Sequence, residues 1–506
     1  MATSISAVRT PRFVLAAERW AERHWRPALL ATALALGLAT RLFFNRHAPL
    51  WFDETFTGVI AGQHDANGLW NWLRGELTGP LFYVPIWLWA RMAGIGDVAL
   101  RLPSLILSLA APAMILWRGH RDRDLRLFWA AATLLWLPAP ILSSDARPYS
   151  LLAFQATAQG IAFVAAMRRT TTSRMLIWTT ITTAMGLTHY WALLIGLVQG
   201  SIIVGTRPRR ALATWPALAP FAVLIAWMAV HLPFVLRFTG GYVGSSYTIP
   251  WSSIVSLPGV LAGTPVFAGI GVAAMLWTLV ERLRRGRSGF GGSLRLDPSP
   301  EAWLGISGVV AVLLFFVIGV YRPGFAPRYL LPSCPALLFG IAVWARWALR
   351  FNAPAVAAAF LAMIVGAVGL VGSSFGTQEA DQRHSFNLER PSEWLMQRPV
   401  RELVFVWSDP DAERSDTGRM AQVARFFFDR AGRRVAVRQI IVPAHIDANG
   451  YVLGRAGHAA GTAILWVANT PHLGDAPRNP DFARDGRWDC RDFGNGLAVS
   501  TACRLR

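Results

Sequence analysis

Two carboxylates stand side by side in Trp51-Phe52-Asp53-Glu54-Thr55, a few residues after the first long apolar segment, 28–44. An acid at the mouth of a membrane helix sits at headgroup depth, where it can exchange a proton with a substrate anchored there. Asp53 is the candidate acid or base. The same pair would also suit the start of a helix, whose dipole favours carboxylates in its first turn. Other ionisable groups fall in short clusters: Arg74 with Glu76, Asp145 and Arg147 before Tyr149, His189 beside Tyr190, His231 with Arg237, and Arg322 with Arg328.

Those clusters need a scaffold, and the composition says which kind. With 506 residues, 54% of them hydrophobic and only 15% charged, the chain is a polytopic α-helical membrane protein in the making. The net charge of +20 comes from arginine alone, since there is no lysine. The arginines fall mainly in short loops between apolar runs, which is the positive-inside pattern and points to orientation, not to a nucleic acid. Candidate spans are 28–44, 99–117, 127–142, 149–167, 175–187, 190–205, 211–230, 258–280, 303–320, 329–345 and 354–371, about eleven in all.

Parity then fixes the sides. A basic N-terminus and basic loops at 118–126, 168–174, 207–210, 282–295 and 346–350 all belong in the cytoplasm. The short run 80–93, interrupted by Pro85, is therefore expected to lie at the outer interface and not to cross. The run between Arg174 and Arg207 must go out and return, with Thr188-His189-Tyr190 at its tip. Every ionisable cluster named above then gathers at one membrane face, the outer one.

After the last span the composition turns polar. Residues 1–374 form the membrane domain and 375–506 a small extracytoplasmic α/β domain, with strands expected at 403–407, 435–442 and 463–467 and a helix at 420–430. Gly494-Asn495-Gly496 signals a hairpin between Cys490 and Cys503. An oxidising outer location favours a disulfide between them, and Cys334, inside an apolar helix, reads as a small buried residue.

Trp51-Phe52-Asp53-Glu54, Gly79-Pro80-Leu81-Phe82-Tyr83, Ala99-Leu100-Arg101-Leu102-Pro103-Ser104, Asp145-Ala146-Arg147-Pro148-Tyr149, Thr188-His189-Tyr190 and Arg328-Tyr329-Leu330-Leu331-Pro332 follow one another in the chain. That series resembles integral membrane glycosyltransferases of the GT-C fold, in the bacterial branch related to protein O-mannosyltransferases and the aminoarabinose transferase of lipid A. The likeness covers roughly residues 28–345. It implies an inverting glycosyltransferase of the bacterial inner membrane, which takes a sugar from a polyprenyl-phosphate donor. The acceptor would be an extracytoplasmic glycan, lipid or protein, and no organic cofactor is expected. By the same resemblance Asp53 and Glu54 match the catalytic acidic position. Arg147, Arg237, Arg322 and Arg328 are candidates to hold the donor phosphate, and Asp145, Tyr149, His189 and Tyr190 to contact substrate. Many relatives carry a histidine, or an acid and a lysine, just before the proline where this chain has Leu77-Thr78-Gly79. Glu76 and His231 are the acid and imidazole left to hold a divalent metal ion.

Two other readings compete. An O-antigen polymerase or ligase would use arginines and one dominant outer loop between spans, and lacks the early acidic pair. A lipid-linked sugar flippase or transporter would carry charges mid-helix and symmetric halves, and neither pattern is evident.

Overall fold

The structure is a computed structural model. It describes residues 12–45, 49–240, 249–286, 299–322, 326–376, 387–408, 417–442, 448–457, 459–469, 486–493 and 498–506. The Gly494-Asn495-Gly496 turn and the arginine-rich stretch 287–295 lie outside these residues.

Helices run from the first described residue: α1 (Arg12–Phe44), α2 (Phe52–Ala61), α3 (Ala66–Leu73), α4 (Pro80–Ala93), α5 (Asp97–Met114), α6 (Arg123–Leu135), α7 (Pro138–Ser143), α8 (Tyr149–Arg168), α9 (Thr172–Thr188) and α10 (Leu193–Thr206). The second half adds α11 (Phe221–Gly240), α12 (Pro265–Gly286), α13 (Pro300–Tyr321), α14 (Cys334–Ala348) and α15 (Ala353–Gly376).

Among the described residues, eight helical stretches are long and apolar enough to cross a membrane, in α1, α5, α8 and α11 to α15. The chain is a multi-pass membrane protein. Three of the sequence-derived spans take a different form. The run 127–142 is broken between α6 and α7, where Pro138 has no N–H to continue the helix. The runs 175–187 and 190–205 form the shorter helices α9 and α10, of 17 and 14 residues. Residues 80–93 form the 14-residue α4, packed beside α2 and α3.

Local sequence explains several helix ends. Ser299 caps α13 by accepting from the Ala302 N–H at 3.2 Å, with Pro300 in the first turn, where its missing N–H costs nothing. Asp122 caps α6 through the N–H groups of Asp124 and Leu125. At this same end of the bundle, Arg26 pairs with Asp124 at 2.6 Å, Arg346 with Asp122 at 2.9 Å, and Arg168 with Glu301. Large apolar side chains such as Ile225, Leu276 and Leu361 point outward, as a lipid-facing surface requires.

Past α15 the chain builds a five-stranded sheet accompanied by three helices. Its elements are α16 (Glu389–Leu395), β1 (Glu402–Ser408), α17 (Thr417–Arg430), β2 (Ala436–Ile441), α18 (Ala448–Ala456), β3 (Thr462–Asn469), β4 (Trp488–Phe493) and β5 (Ala498–Leu505). The order is β2-β1-β3-β5-β4, with β1 parallel to β2 and β3, and β5 antiparallel to β3 and β4. Leu403, Val404, Phe405 and Val406 of β1 are all fully buried, because helices cover both faces. Cys490 and Cys503 face each other across β4 and β5 and are joined by a disulfide.

One face of this sheet, with α17, docks on α2, α3 and α4. Leu403, Phe405 and Leu465 share a core with Phe52, Ile60, Trp72 and Tyr83 through α17. Gln422 accepts from Trp72 Nε1 at 3.0 Å and Gln63 Nε2 at 3.1 Å, while Arg430 bridges Asp97 and Glu389. The Phe426 ring lies so close to α2 that a Cβ on Gly58 would come within 2.5 Å of it. Gly58→Leu is therefore expected to cost roughly 1–3 kcal/mol by overpacking and to loosen the sheet domain. Limited proteolysis in detergent should release that domain faster than from the wild type, and an unchanged rate would contradict this packing.

Candidate active site at the outer rim

The site is assembled around Glu54, which is fully buried in the first turn of α2. Its Oε1 accepts from Arg101 Nε at 2.8 Å and from the Ala146 N–H at 2.6 Å. Its Oε2 accepts from Arg101 Nη2 and from the Trp51 N–H at 3.1 Å. One carboxylate thus ties the start of α2, the body of α5 and the 144–148 turn together. With four donors on it, Glu54 is a positioning residue, and the expectation that it shares the chemistry gives way to this structural role.

Asp53, one position earlier, reaches the rim, with its side chain 26% exposed. Its Oδ2 lies 3.5 Å from Arg328 Nη2, at the head of the turn Pro327–Ser333. Such a half-exposed pair is worth about 0–1 kcal/mol, so an incoming anion can compete for the guanidinium. Arg328 rests over the Trp51 and Tyr329 rings, 5.8 and 5.7 Å from their centroids, which sets its direction.

Arg147 comes from the turn that Glu54 fixes. Its Nη1 donates to Tyr83 Oη at 3.0 Å and to the Asp53 carbonyl at 3.2 Å. Neither Arg147 Nε nor Arg328 Nε has an acceptor, although both atoms are buried. Two guanidinium groups with spare, directed donors beside one carboxylate form a cradle for a phosphate.

Gly79 links this cluster to His189. Its N–H donates to Thr188 O at 3.1 Å, and a Cβ there would sit 1.9 Å from the Leu187 carbonyl, so only glycine fits before Pro80. His189 is buried, its Nδ1 accepts from the Trp191 N–H at 3.4 Å, and its ring lies 4.9 Å from that of Tyr329. Burial, with Arg147 and Arg328 nearby, pushes its pKa down to about 3. At neutral pH it is an uncharged imidazole with Nε2–H as its donor. Glu76, half-buried, is held above the usual carboxylate range by burial, with Arg147 opposing and Asp53 reinforcing the shift.

The other expected site residues differ in their surroundings. Arg237 is exposed and donates to Pro233 O of its own helix, and Arg322 is exposed at the end of α13. Tyr190 turns from the cradle: its hydroxyl accepts from Trp227 Nε1 at 2.8 Å and pairs with His231 Nδ1. Asp145 is buried within electrostatic reach of Arg101. Tyr149 opens α8, buried beside Arg147. Tyr83 and Trp51, which the sequence reading left without roles, orient the two arginines. Both lie inside the quoted motifs, which was the available signal.

At Glu76 and His231 the imidazole has one nitrogen taken, Nδ1 by Tyr190, while its buried Nε2 has no hydrogen-bond partner. Among the described residues no three His, Cys, Asp or Glu side chains come together as a metal site would need.

The arrangement of long helices with a sheet domain packed on one end is the GT-C fold. The chain is similar in structure to ArnT from Cupriavidus metallidurans in the apo state, with a TM-score of 0.54 and 16% identity, over 96% of this chain and 98% of that one. It is similar also to the same ArnT bound to undecaprenyl phosphate, with a TM-score of 0.52 and 15% identity over 95% and 98% of the two chains. An Archaeoglobus fulgidus oligosaccharyltransferase in the apo form superposes at a TM-score of 0.44, with 12% identity over 89% of this chain and 70% of that one. No family model and no curated protein sequence matches the chain.

Breaking a buried ion pair from one side leaves an uncompensated charge and costs about 3–5 kcal/mol. Arg101→Ala should therefore lower the thermal midpoint of the detergent-purified protein markedly, whereas Arg328→Ala should shift it little. Equal effects of the two substitutions would contradict the division between a structural and an available arginine.

Proposed function

We propose that this chain is an inverting membrane glycosyltransferase that moves a sugar from a polyprenyl-phosphate donor to an extracytoplasmic acceptor. The observation that carries this is the convergence of Asp53 with the spare donors of Arg147 and Arg328 at one membrane rim. The GT-C fold, and the undecaprenyl phosphate bound by a structural neighbour, support the same reading.

Asp53 is the general base, with its carboxylate 3.5 Å from the Arg328 guanidinium. It takes the proton of an acceptor hydroxyl as that oxygen bonds to the anomeric carbon. On the opposite side of the carbon the bond to the phosphate oxygen breaks, and the bonding electrons leave with the polyprenyl phosphate. Its growing negative charge is met by Arg147 and Arg328, already oriented by Tyr83 and Trp51 and costing little reorganisation. His189, neutral, contributes a hydrogen-bond donor without adding charge. Attack opposite the leaving group gives inversion. The active site faces the extracytoplasmic side of a bacterial inner membrane, with the N-terminus in the cytoplasm and residues 375–506 folded over the outer rim as a domain of their own.

Asp53→Asn should lower sugar transfer from isolated envelope lipids by about 10²–10⁴-fold with the thermal midpoint unchanged. Arg147→Ala and Arg328→Ala should each weaken binding of undecaprenyl phosphate at least tenfold, because charge-assisted bonds are worth about 1.5–3 kcal/mol. Transfer at the wild-type rate by Asp53→Asn would remove this function.

A further inference from the structure

The end of the bundle away from Asp53 carries a second concave site. Helix α8 starts beside Arg147 and, after 20 residues or about 30 Å, ends at Arg168. There, between the ends of α8 and α10 and the start of α13, lies a cavity of about 470 Å³. Its walls carry Arg207, Arg209 and Arg210, and its apolar part is formed by Met167, Pro300 and Trp303. The size is that of a ligand pocket, well beyond a single water or ion.

Two features separate this cluster from an ordinary topogenic loop. Three guanidinium groups converge on one hollow, and among the described residues none of the three has a carboxylate partner, although Arg26, Arg168 and Arg346 at the same end all do. The acid nearest in sequence to the cavity wall, Glu301, is already engaged by Arg168 and His120. Among the described residues Glu301 is thus engaged next door, and the three arginines line the cavity without a carboxylate partner. A tryptophan and a methionine beneath them supply a surface for glycerol and acyl carbons, at the depth where helix ends meet the membrane boundary.

We propose that this cavity binds the headgroup of an anionic phospholipid from the arginine-rich, cytoplasmic leaflet. The phosphate would sit among Arg207, Arg209 and Arg210, with the glycerol against Trp303 and Met167. Basic pockets between membrane helices on that side are the known form of such sites. The inference uses none of the Asp53 chemistry and stands or falls separately from the proposed reaction.

The test uses the full chain purified in a zwitterionic detergent, titrated with phosphatidylglycerol, phosphatidylcholine or inorganic phosphate while the thermal midpoint is followed. Phosphatidylglycerol should raise the midpoint saturably, and neither of the other two should do so at the same concentrations. Each arginine near an anionic headgroup strengthens binding about fivefold, so the triple variant R207A/R209A/R210A should need on the order of a hundredfold more lipid. Because those arginines also bear on membrane insertion, Thr206→Trp gives an independent check: it keeps every charge and fills the cavity, and should weaken the response similarly. A rise of equal size with phosphatidylcholine, or a phosphatidylglycerol response unchanged in Thr206→Trp, would overturn the site. A rise with inorganic phosphate alone would overturn its assignment to lipid.

Discussion

A single buried carboxylate, that of Glu54, organises the outer rim. Its four donors come from three separate parts of the chain: Trp51 at the start of α2, Arg101 in α5 and Ala146 in the turn before α8. A charge withdrawn from water survives only if its partners are well placed, so the residues around it are locked to one another. Asp53 and Arg147, each adjacent in sequence to one of these anchored points, inherit their positions. The chemically available groups are then the loosely paired ones, Asp53 and Arg328, held by the tightly paired ones behind them.

This division explains why two neighbouring acids differ so much. Glu54 lies in the interior, and its cost of burial is offset by a guanidinium and two backbone N–H groups. Asp53 faces the rim with one long, partly exposed contact. The sheet domain reinforces the same region from outside. Asn387 bridges to Trp51, Arg430 reaches Asp97 at the head of α5, and Arg419 lies against Gly75 and over the Trp72 ring, next to Glu76. Burial, with Asp97 beside it, raises the Glu389 carboxyl above the usual carboxylate range against the opposing pull of Arg430.

Much of this was legible in the sequence because apolar runs and arginine loops are one-dimensional signals. They gave the helical bundle and the strands at 403–407 and 463–467, which are β1 and β3. Length was less readable: Pro138 splits one expected span, and two others are shorter than a bilayer-crossing helix. The roles within the site were harder still, because hydrogen bonds between residues 54 and 101 or 83 and 147 leave no periodic trace. Arg237 and Arg322 stay exposed, and the Tyr190 hydroxyl pairs with His231 Nδ1, neither of which any spacing announces. Only packing shows what a charge touches.

The central claim is that Asp53 and Arg328 face one aqueous compartment on a shared rim. It is tested most directly with Asp53→Cys and Arg328→Cys, each on a Cys334→Ser background, and a membrane-impermeant maleimide applied to right-side-out and inverted vesicles. Both positions should label from the same outer side, and undecaprenyl phosphate should protect both. Labelling from opposite sides, or protection of neither, would contradict the account.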